Sequence, residues 1–373
     1  MSLTEDEVRE HVRGVCFKKG PPRLVGIETE WLVVDEARPG EPVPLGRLRE
    51  PLTRRALPGG SKVTFEPGGQ LELSSVALPG AEAVCGALAA DLAEVRRRVP
   101  GIELVGAGVD PVRPSRMQLD ELRYRCMSRY FGDLTMMCST ASVQVCLDIG
   151  TREQAARRWR LAHLLGPVLI AAFANSPVHR GRRTGWKSTR QAVWARLDPT
   201  RTTAPVGDDP EEAWAGYALD AKVMLIRGES WIVNPGVTFR EWMRTGEPVL
   251  DDFAYHLSTL FPPVRPQGWL ELRMIDALPE PYWRVPVAVA AALLDRVPDA
   301  AEAAAEPVGG HWVRAARDGL RDPALAKAAL ACFEAACSVL TGEMKSLTEQ
   351  YAERYVARGL CPADDIEEYA WTR

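Results

Sequence analysis

Glutamates recur two residues apart in stretches that otherwise read as β-strands. They are Glu28 and Glu30 in GIETEWLVV, Glu66 and Glu72 in TFEPGGQLELSS, and Glu271, with Arg273 beside it, in WLELRMID. Side chains two apart in a strand leave on the same face, so Glu28 projects with Glu30, Gln70 with Glu72, and Glu271 with Arg273. The opposite faces carry Ile27, Thr29 and Trp31, then Leu71 and Leu73, then Leu270, Leu272 and Met274, a core-facing set. One such strand is explained by a solvated outer face. Three acid-faced strands are harder to explain that way, because like charges on neighbouring strands repel. Side by side they require cations, and carboxylate oxygens without thiol or imidazole suit hard ions such as Mg²⁺ or Mn²⁺. Several carboxylates and an arginine together point to phosphoryl chemistry.

Other signals narrow the class. No GxxxxGK[ST] or GxGxxG loop occurs, so nucleotide phosphates would be held by metals and arginines. The five histidines are scattered with no i, i+4 pair, which argues against zinc. A serine or cysteine nucleophile with a partnered histidine cannot be assembled from the spacing. Glycosidase chemistry would need one neutral and one ionised acid rather than a crowd that invites metal. Arg123 and Arg190 lie in polar segments with few acids nearby. Each is a fork for a substrate carboxylate or phosphate, or equally a surface ion-pair partner. Gly68-Gly69, between Glu66 and Gln70, permits either a close backbone approach or a plain hairpin turn.

The elements that must position these residues follow from pattern and punctuation. At 373 residues the chain can bury a large core, and one catalytic domain over 1–373 is expected, with the motifs in 24–285 and a helical cover in 286–373. The N-terminus reads as a helix capped by Thr4, with Glu7 at the capping-box position, and not as a signal peptide. Strands are expected at 23–35 and 61–76, joined by a Pro/Gly-rich loop over 36–60, then a helix over 80–99 and a strand over 102–109. A polar helix over LDELRYRCMSRYF, a strand in TMMCSTASVQVCLDIG and a helix over 152–175, kinked or restarted near Pro167, come next. The segment 176–210 reads as a long functional loop, followed by strands near 218–235 and helices at TFREWM and 251–260. Beyond Pro279 the chain is Ala-rich and helical to about residue 357. Mixed rather than strict βαβ order indicates α+β: an antiparallel sheet with helices gathered to one side.

Composition limits partners and compartment. A net charge of −4 and a pI near 5.9 give no footprint for nucleic acid. No run of eighteen apolar residues appears, so no membrane span is expected. Eight cysteines without a CxxC pair read as mostly buried thiols of a reducing cytoplasm. Oligomeric state is not legible.

In order along 24–285, the segments GIETEW, TFEPGGQLELSS, LRYRCMSRYF, TASVQVCLD, FANSP with GWKSTRQAVW, TFREWM and HLSTLFPPVRPQGWLELRMID resemble the glutamate-cysteine ligase family of the plant and actinobacterial type. They are most similar to its actinobacterial, ergothioneine-pathway branch. The resemblance implies a curved antiparallel sheet like that of glutamine synthetase, cradling ATP, Mg²⁺ and glutamate, with helices outside. It also implies ATP-dependent joining of the glutamate γ-carboxylate to cysteine through γ-glutamyl phosphate. By matching position it assigns Glu28, Glu30, Glu66, Glu72 and Glu271 to metal, and Arg123 and Arg190 to glutamate. Arg273 falls beside the phosphates and, with Glu66, in the catalytic set. Trp194 becomes a wall of the substrate pocket, and Gln144 falls where related ligases can have a histidine. The family's redox cysteine pairs find no match, and the short 36–60 connection makes the chain compact for the family.

Overall fold

The computed structural model describes residues 2–205 and 207–369. Its centre is an eight-stranded sheet built around β1 (Leu24–Asp35). The other members are β2 (Lys62–Phe65), β3 (Leu71–Ser74), β4 (Leu78–Pro79), β5 (Ile102–Val105), β6 (Ser142–Asp148), β11 (Val264–Pro266) and β12 (Trp269–Asp276). The main path runs β11-β12-β6-β1-β3-β2, with β4 and β5 each pairing β1, and all these pairs are antiparallel. Two small hairpins stand apart: β7 (Val178–His179) with β8 (Arg182–Arg183), and β9 (Leu225–Ile226) with β10 (Ile232–Val233).

The alternation in the sequence becomes the two faces of this sheet. Ile27, Thr29, Trp31, Leu71, Leu73, Leu270, Leu272 and Met274 are all buried. That face is covered by helices, among them Ala81–Arg98 against β1, Arg284–Asp295 against β6 and Gly166–Phe173 against β12. The helices after Pro279 belong to the same core. Tyr351 donates its hydroxyl to the Ala172 carbonyl at 2.8 Å and stacks beside Phe173 with ring centroids 5.3 Å apart. The opposite face carries the acids.

Local signals held in several places. Thr4 and Glu7 exchange the two bonds of a capping box at the start of helix Glu5–His11. The long helical segment is two helices, Arg152–Leu164 and Gly166–Phe173, parting at Leu165 with Pro167 in the first turn of the second, where its missing N–H costs nothing. Thr238 caps Phe239–Met243. All eight cysteines are free and six are buried.

Four expectations are corrected. The 36–60 connection is not all loop: Gly46–Thr53 is a helix whose Leu48 and Leu52, one turn apart, face the core. The prolines around it masked a pair with helical spacing. Residues 176–210 are not one loop, because β7, β8 and helices Thr189–Trp194 and Pro199–Thr202 interrupt it. Around 218–235 only β9 and β10 are strands, because helix Pro210–Asp220, capped by Asp209, takes the beginning of that span. Helix also continues past residue 357, to Tyr369.

Candidate active site

Register sets the acids in adjacent positions on the open face. Glu30 of β1 is directly opposite Glu72 of β3, and Glu28 has Ser74 on one side and Gln144 of β6 on the other. Glu271 of β12 lies between Cys146 of β6 and Arg265 of β11. Glu66 comes from the turn joining β2 to β3, where its N–H donates to the Gln70 carbonyl at 2.9 Å and Gly69 donates back to it at 2.8 Å. Gly69 has φ +93°, and a Cβ on Gly68 would lie 2.1 Å from the Cys138 carbonyl oxygen. The glycine pair therefore makes both the hairpin turn and the close approach, pressing Glu66 toward the sheet.

Glu28, Glu30, Glu66 and Glu72 line one cavity of about 220 Å³ together with Arg123, Gln144, Arg190, Trp194, Arg265 and Arg273. Glu30, Glu66 and Glu72 each offer an oxygen within 4.8 Å of the other two, forming the metal-capable group among the described residues. Burial, with repulsion from Glu271 and Glu72, pushes Glu28 up to about 8. Burial raises Glu30 to about 7 against the pull of Arg190, with Glu72 adding to the rise. Burial also lifts Glu66 well above the usual carboxylate range, reinforced by Glu30 and Glu72. Such a set is under electrostatic stress as it stands, and a hard divalent cation relieves it. The donor set fits Mg²⁺ or Mn²⁺.

Glu271 is placed differently. Arg265 donates to it from Nε at 2.7 Å and from Nη2 at 3.3 Å, and Arg273 donates from Nη1 at 2.9 Å. Burial would raise this carboxyl, but the two guanidiniums hold it down at about 2. Both its oxygens are engaged, so in this arrangement it orients arginines and stands outside the triplet. Arg273 Nη1 also donates to Gln144 Oε1 at 2.6 Å, while Gln144 Nε2 donates to Glu30 Oε1 at 3.1 Å. The amide thus links the arginine side of the cavity to the acid side. Arg273 Nε has no partner.

Arg190 is 2% exposed. Its Nη2 donates to the Arg273 carbonyl at 2.9 Å, and its guanidinium sits 4.8 Å from the Trp194 ring centroid. Its Nε and Nη1 have no partner. Buried N–H groups left unpaired are costly in a native protein, and these belong to a wall of the acid-lined cavity. Arg123 is at the rim, tied by Nη1 to Ser258 Oγ at 3.1 Å and by Nη2 to the Ser258 carbonyl at 2.9 Å, over the Tyr255 ring.

Every candidate from the sequence therefore lies in or against one cavity, Glu271 through its arginine partners. Sequence reasoning missed Arg265, although the turn at Gln267-Gly268 folds β11 back on β12 and so places it opposite Glu271. It also missed Ser258. Three acids able to hold a cation, in one cavity with the guanidiniums of Arg190 and Arg273, suit an anionic substrate.

Residues 24–372 match the model of glutamate-cysteine ligase family 2. The chain is 40% identical over 398 aligned residues to the glutamate-cysteine ligase EgtA of Mycolicibacterium smegmatis, covering 96% of this chain and 93% of that protein. It is 34% identical over 247 residues to the chloroplastic glutamate-cysteine ligase of Medicago truncatula, covering 61% and 48%. A glutamate-cysteine ligase of Francisella tularensis, solved in complex with AMP, superposes with a TM-score of 0.59 at 13% identity, over 95% of this chain and 86% of that one, a likeness of fold. An antiparallel sheet with carboxylates on one face and helices packed on the other is the architecture this chain has at the level of fold in common with that ligase. The chain belongs to glutamate-cysteine ligase family 2. No helix among the described residues is long and apolar enough to cross a membrane.

Proposed function

We propose that the protein joins the γ-carboxylate of L-glutamate to the amine of L-cysteine at the expense of ATP, as one catalytic unit of the cytoplasm. The place in metabolism implied by the motif resemblance is the first step of ergothioneine or another low-molecular-weight thiol. The observation that carries the reading is that Glu30, Glu66 and Glu72, which could hold a cation together, line one cavity with Arg190 and Arg273, two buried guanidiniums that each keep an N–H without a partner. An amino acid with two carboxylates matches this pairing of cation and guanidinium.

In this reading Arg190, stacked on Trp194, holds a glutamate carboxylate, and Arg123 closes the rim. A γ-carboxylate oxygen of glutamate attacks the terminal phosphorus of ATP, the bond to the ADP oxygen breaks, and γ-glutamyl phosphate forms. Arg273, held through Nη1 by Glu271 and Gln144, keeps its positive charge at the cavity wall and offsets charge on the transferring group. Bound by Glu30, Glu66 and Glu72, with Glu28 beside them, Mg²⁺ or Mn²⁺ would neutralise phosphoryl charge. The cysteine amine then attacks the acyl carbon, the C–N bond forms, phosphate leaves, and the amine proton passes to solvent.

The test is phosphate release from ATP and Mg²⁺ with glutamate, with and without each of a panel of amines, with the product mass recorded. Cysteine-stimulated release with the mass of γ-glutamylcysteine is expected. Release stimulated only by another amine would move the protein to the wider carboxylate-amine ligases, and no turnover with any amine would overturn the enzymatic reading.

A further inference from the structure

Asp276 ends β12, is 2% exposed, and has its carboxylate fully occupied. Asn175 N–H donates to Oδ2 at 2.9 Å, the Ser176 hydroxyl donates to the same oxygen at 2.7 Å, and the Ser188 hydroxyl donates to Oδ1 at 2.9 Å. Each serine oxygen then accepts from the helix that carries Arg190: Arg190 N–H donates to Ser176 Oγ at 3.2 Å, and Gln191 N–H to Ser188 Oγ at 3.2 Å. The same helix is tied directly to β12 by Gln191 Nε2 on the Met274 carbonyl at 2.8 Å. Asn175 Nδ2 anchors the hub from behind, donating to the carbonyls of Gly106 and Ala277, both at 2.8 Å. A Cβ on Gly108 would lie 2.4 Å from Asp276 Cγ, so the Gly108 backbone packs directly against the carboxylate on that side.

Asn175, Ser176, Ser188 and Asp276 lie in two of the motifs, FANSP with GWKSTRQAVW and WLELRMID, yet none of the four lines the cavity. Fully satisfied buried networks are rigid, because every member fixes the orientation of the next. Here the network holds the start of the helix that brings Arg190, and one turn later Trp194, to the cavity. We propose that Asp276, with Ser176 and Ser188, is the positioning device for Arg190, setting the start of its helix so that the free Nε and Nη1 meet a glutamate carboxylate. Asp276 also supplies a negative charge that favours the charged form of this buried guanidinium. The inference rests on the reading of Arg190 as the glutamate-holding residue.

The test measures glutamate affinity by titration calorimetry with Mg²⁺ and a non-hydrolysable ATP analogue, and KM for glutamate and ATP in turnover. The variants are Asp276→Asn, Ser176→Ala and Arg190→Ala, with Thr348→Ala as a control. Thr348 is fully buried in the C-terminal helices, where its hydroxyl donates to the Met344 carbonyl at 2.7 Å, so its loss reports plain destabilisation. Asp276→Asn and Ser176→Ala are expected to weaken glutamate about tenfold or more while ATP affinity stays within about twofold, and Thr348→Ala to change neither. If Asp276→Asn does not fold, Ser176→Ala, which keeps the carboxylate and loses one hydroxyl, decides. Glutamate affinity unchanged in Ser176→Ala while Arg190→Ala weakens it would overturn the positioning role. Unchanged affinity in Arg190→Ala would overturn this role and the Arg190 assignment together. Because glutamate binding is read directly, failure of cysteine as acceptor sinks the ligase reading without touching this result.

Discussion

Arg190 makes three commitments with one guanidinium: a bond to the Arg273 carbonyl, a stack on Trp194, and two N–H groups kept for something else. Removing a charged, bidentate anchor costs a few kcal/mol of substrate binding. Arg190→Ala is therefore expected to raise the glutamate KM by about a hundredfold, with ATP KM little changed. An unchanged glutamate KM would sink the assignment. The acids allow a second test. Glu66 is the member of the triplet that comes from the turn rather than a strand, and it is squeezed by Glu30 and Glu72. Glu66→Gln removes a charge the cation needs while relieving that repulsion, so the metal-free variant should melt no lower than the parent. Its stabilisation by Mn²⁺ should nevertheless fall, with at least about tenfold weaker binding in a thermal-shift titration. Equal Mn²⁺ affinity in the two proteins would remove Glu66 from the metal set. At this scale the sequence was most legible where alternation fixed a face, as at Glu28, Glu30, Glu72 and Arg273. It was silent on Glu271 being gripped by Arg265, because that pair forms only when a hairpin sets one strand against the next.

Among elements, the turn between β2 and β3 does the most with the least sequence. Its tip packs Gly68 on the backbone of Cys138, and Gln118 Nε2 donates to the Gly68 carbonyl at 2.8 Å. A methyl group at Gly68 meets a carbonyl, which cannot swing aside as a flexible side chain does, so the turn must lift. Gly68→Ala should destabilise the fold by about 2 kcal/mol or more and, because Glu66 rides on the same turn, weaken Mn²⁺ binding as Glu66→Gln does. Intact metal affinity and melting temperature in Gly68→Ala would show that the turn has slack the structure does not suggest. The EPGGQ sequence left open whether the glycines served a turn or a close approach, and the geometry uses both. Long, strongly patterned elements such as β1, β12 and helix Ala81–Arg98 were legible from period alone. Helix Gly46–Thr53 was not, because the prolines around and inside it hide its Leu48/Leu52 spacing, and the two-residue hairpin strands of 178–233 were not, because two residues are too few to show a period.

For the molecule as a whole, the division into one wet acidic face and one dry helical face fixes how stability responds to pH. On the dry side His256 is 4% exposed, donates Nε2–H to the Ala218 carbonyl at 2.9 Å, stacks on Phe239, and has no partner for Nδ1. Burial, with nearby Arg201, pushes it down to about 3. Unfolded, this histidine takes a proton near pH 6.5, whereas folded it stays neutral. Its contribution is therefore intact above about 6.5 and is lost as pH falls below that, by about 1.4 kcal/mol per pH unit. The acidic face acts with the opposite sign. Glu28, raised to about 8, and Glu30, raised to about 7, take up protons in the fold that the unfolded chain does not, so their contribution is present at low pH and lost as pH rises through those values. The two faces thus mask each other in the parent, and the histidine term appears only by difference. In urea unfolding at pH 7.5 and 5.5 without divalent cations, His256→Gln is expected to lose about 1 kcal/mol less than the parent on acidification, whatever its stability at pH 7.5. Equal losses would mean that His256 is reached by protons in the native state, and that the helices around Phe239 open far more readily than their packing implies.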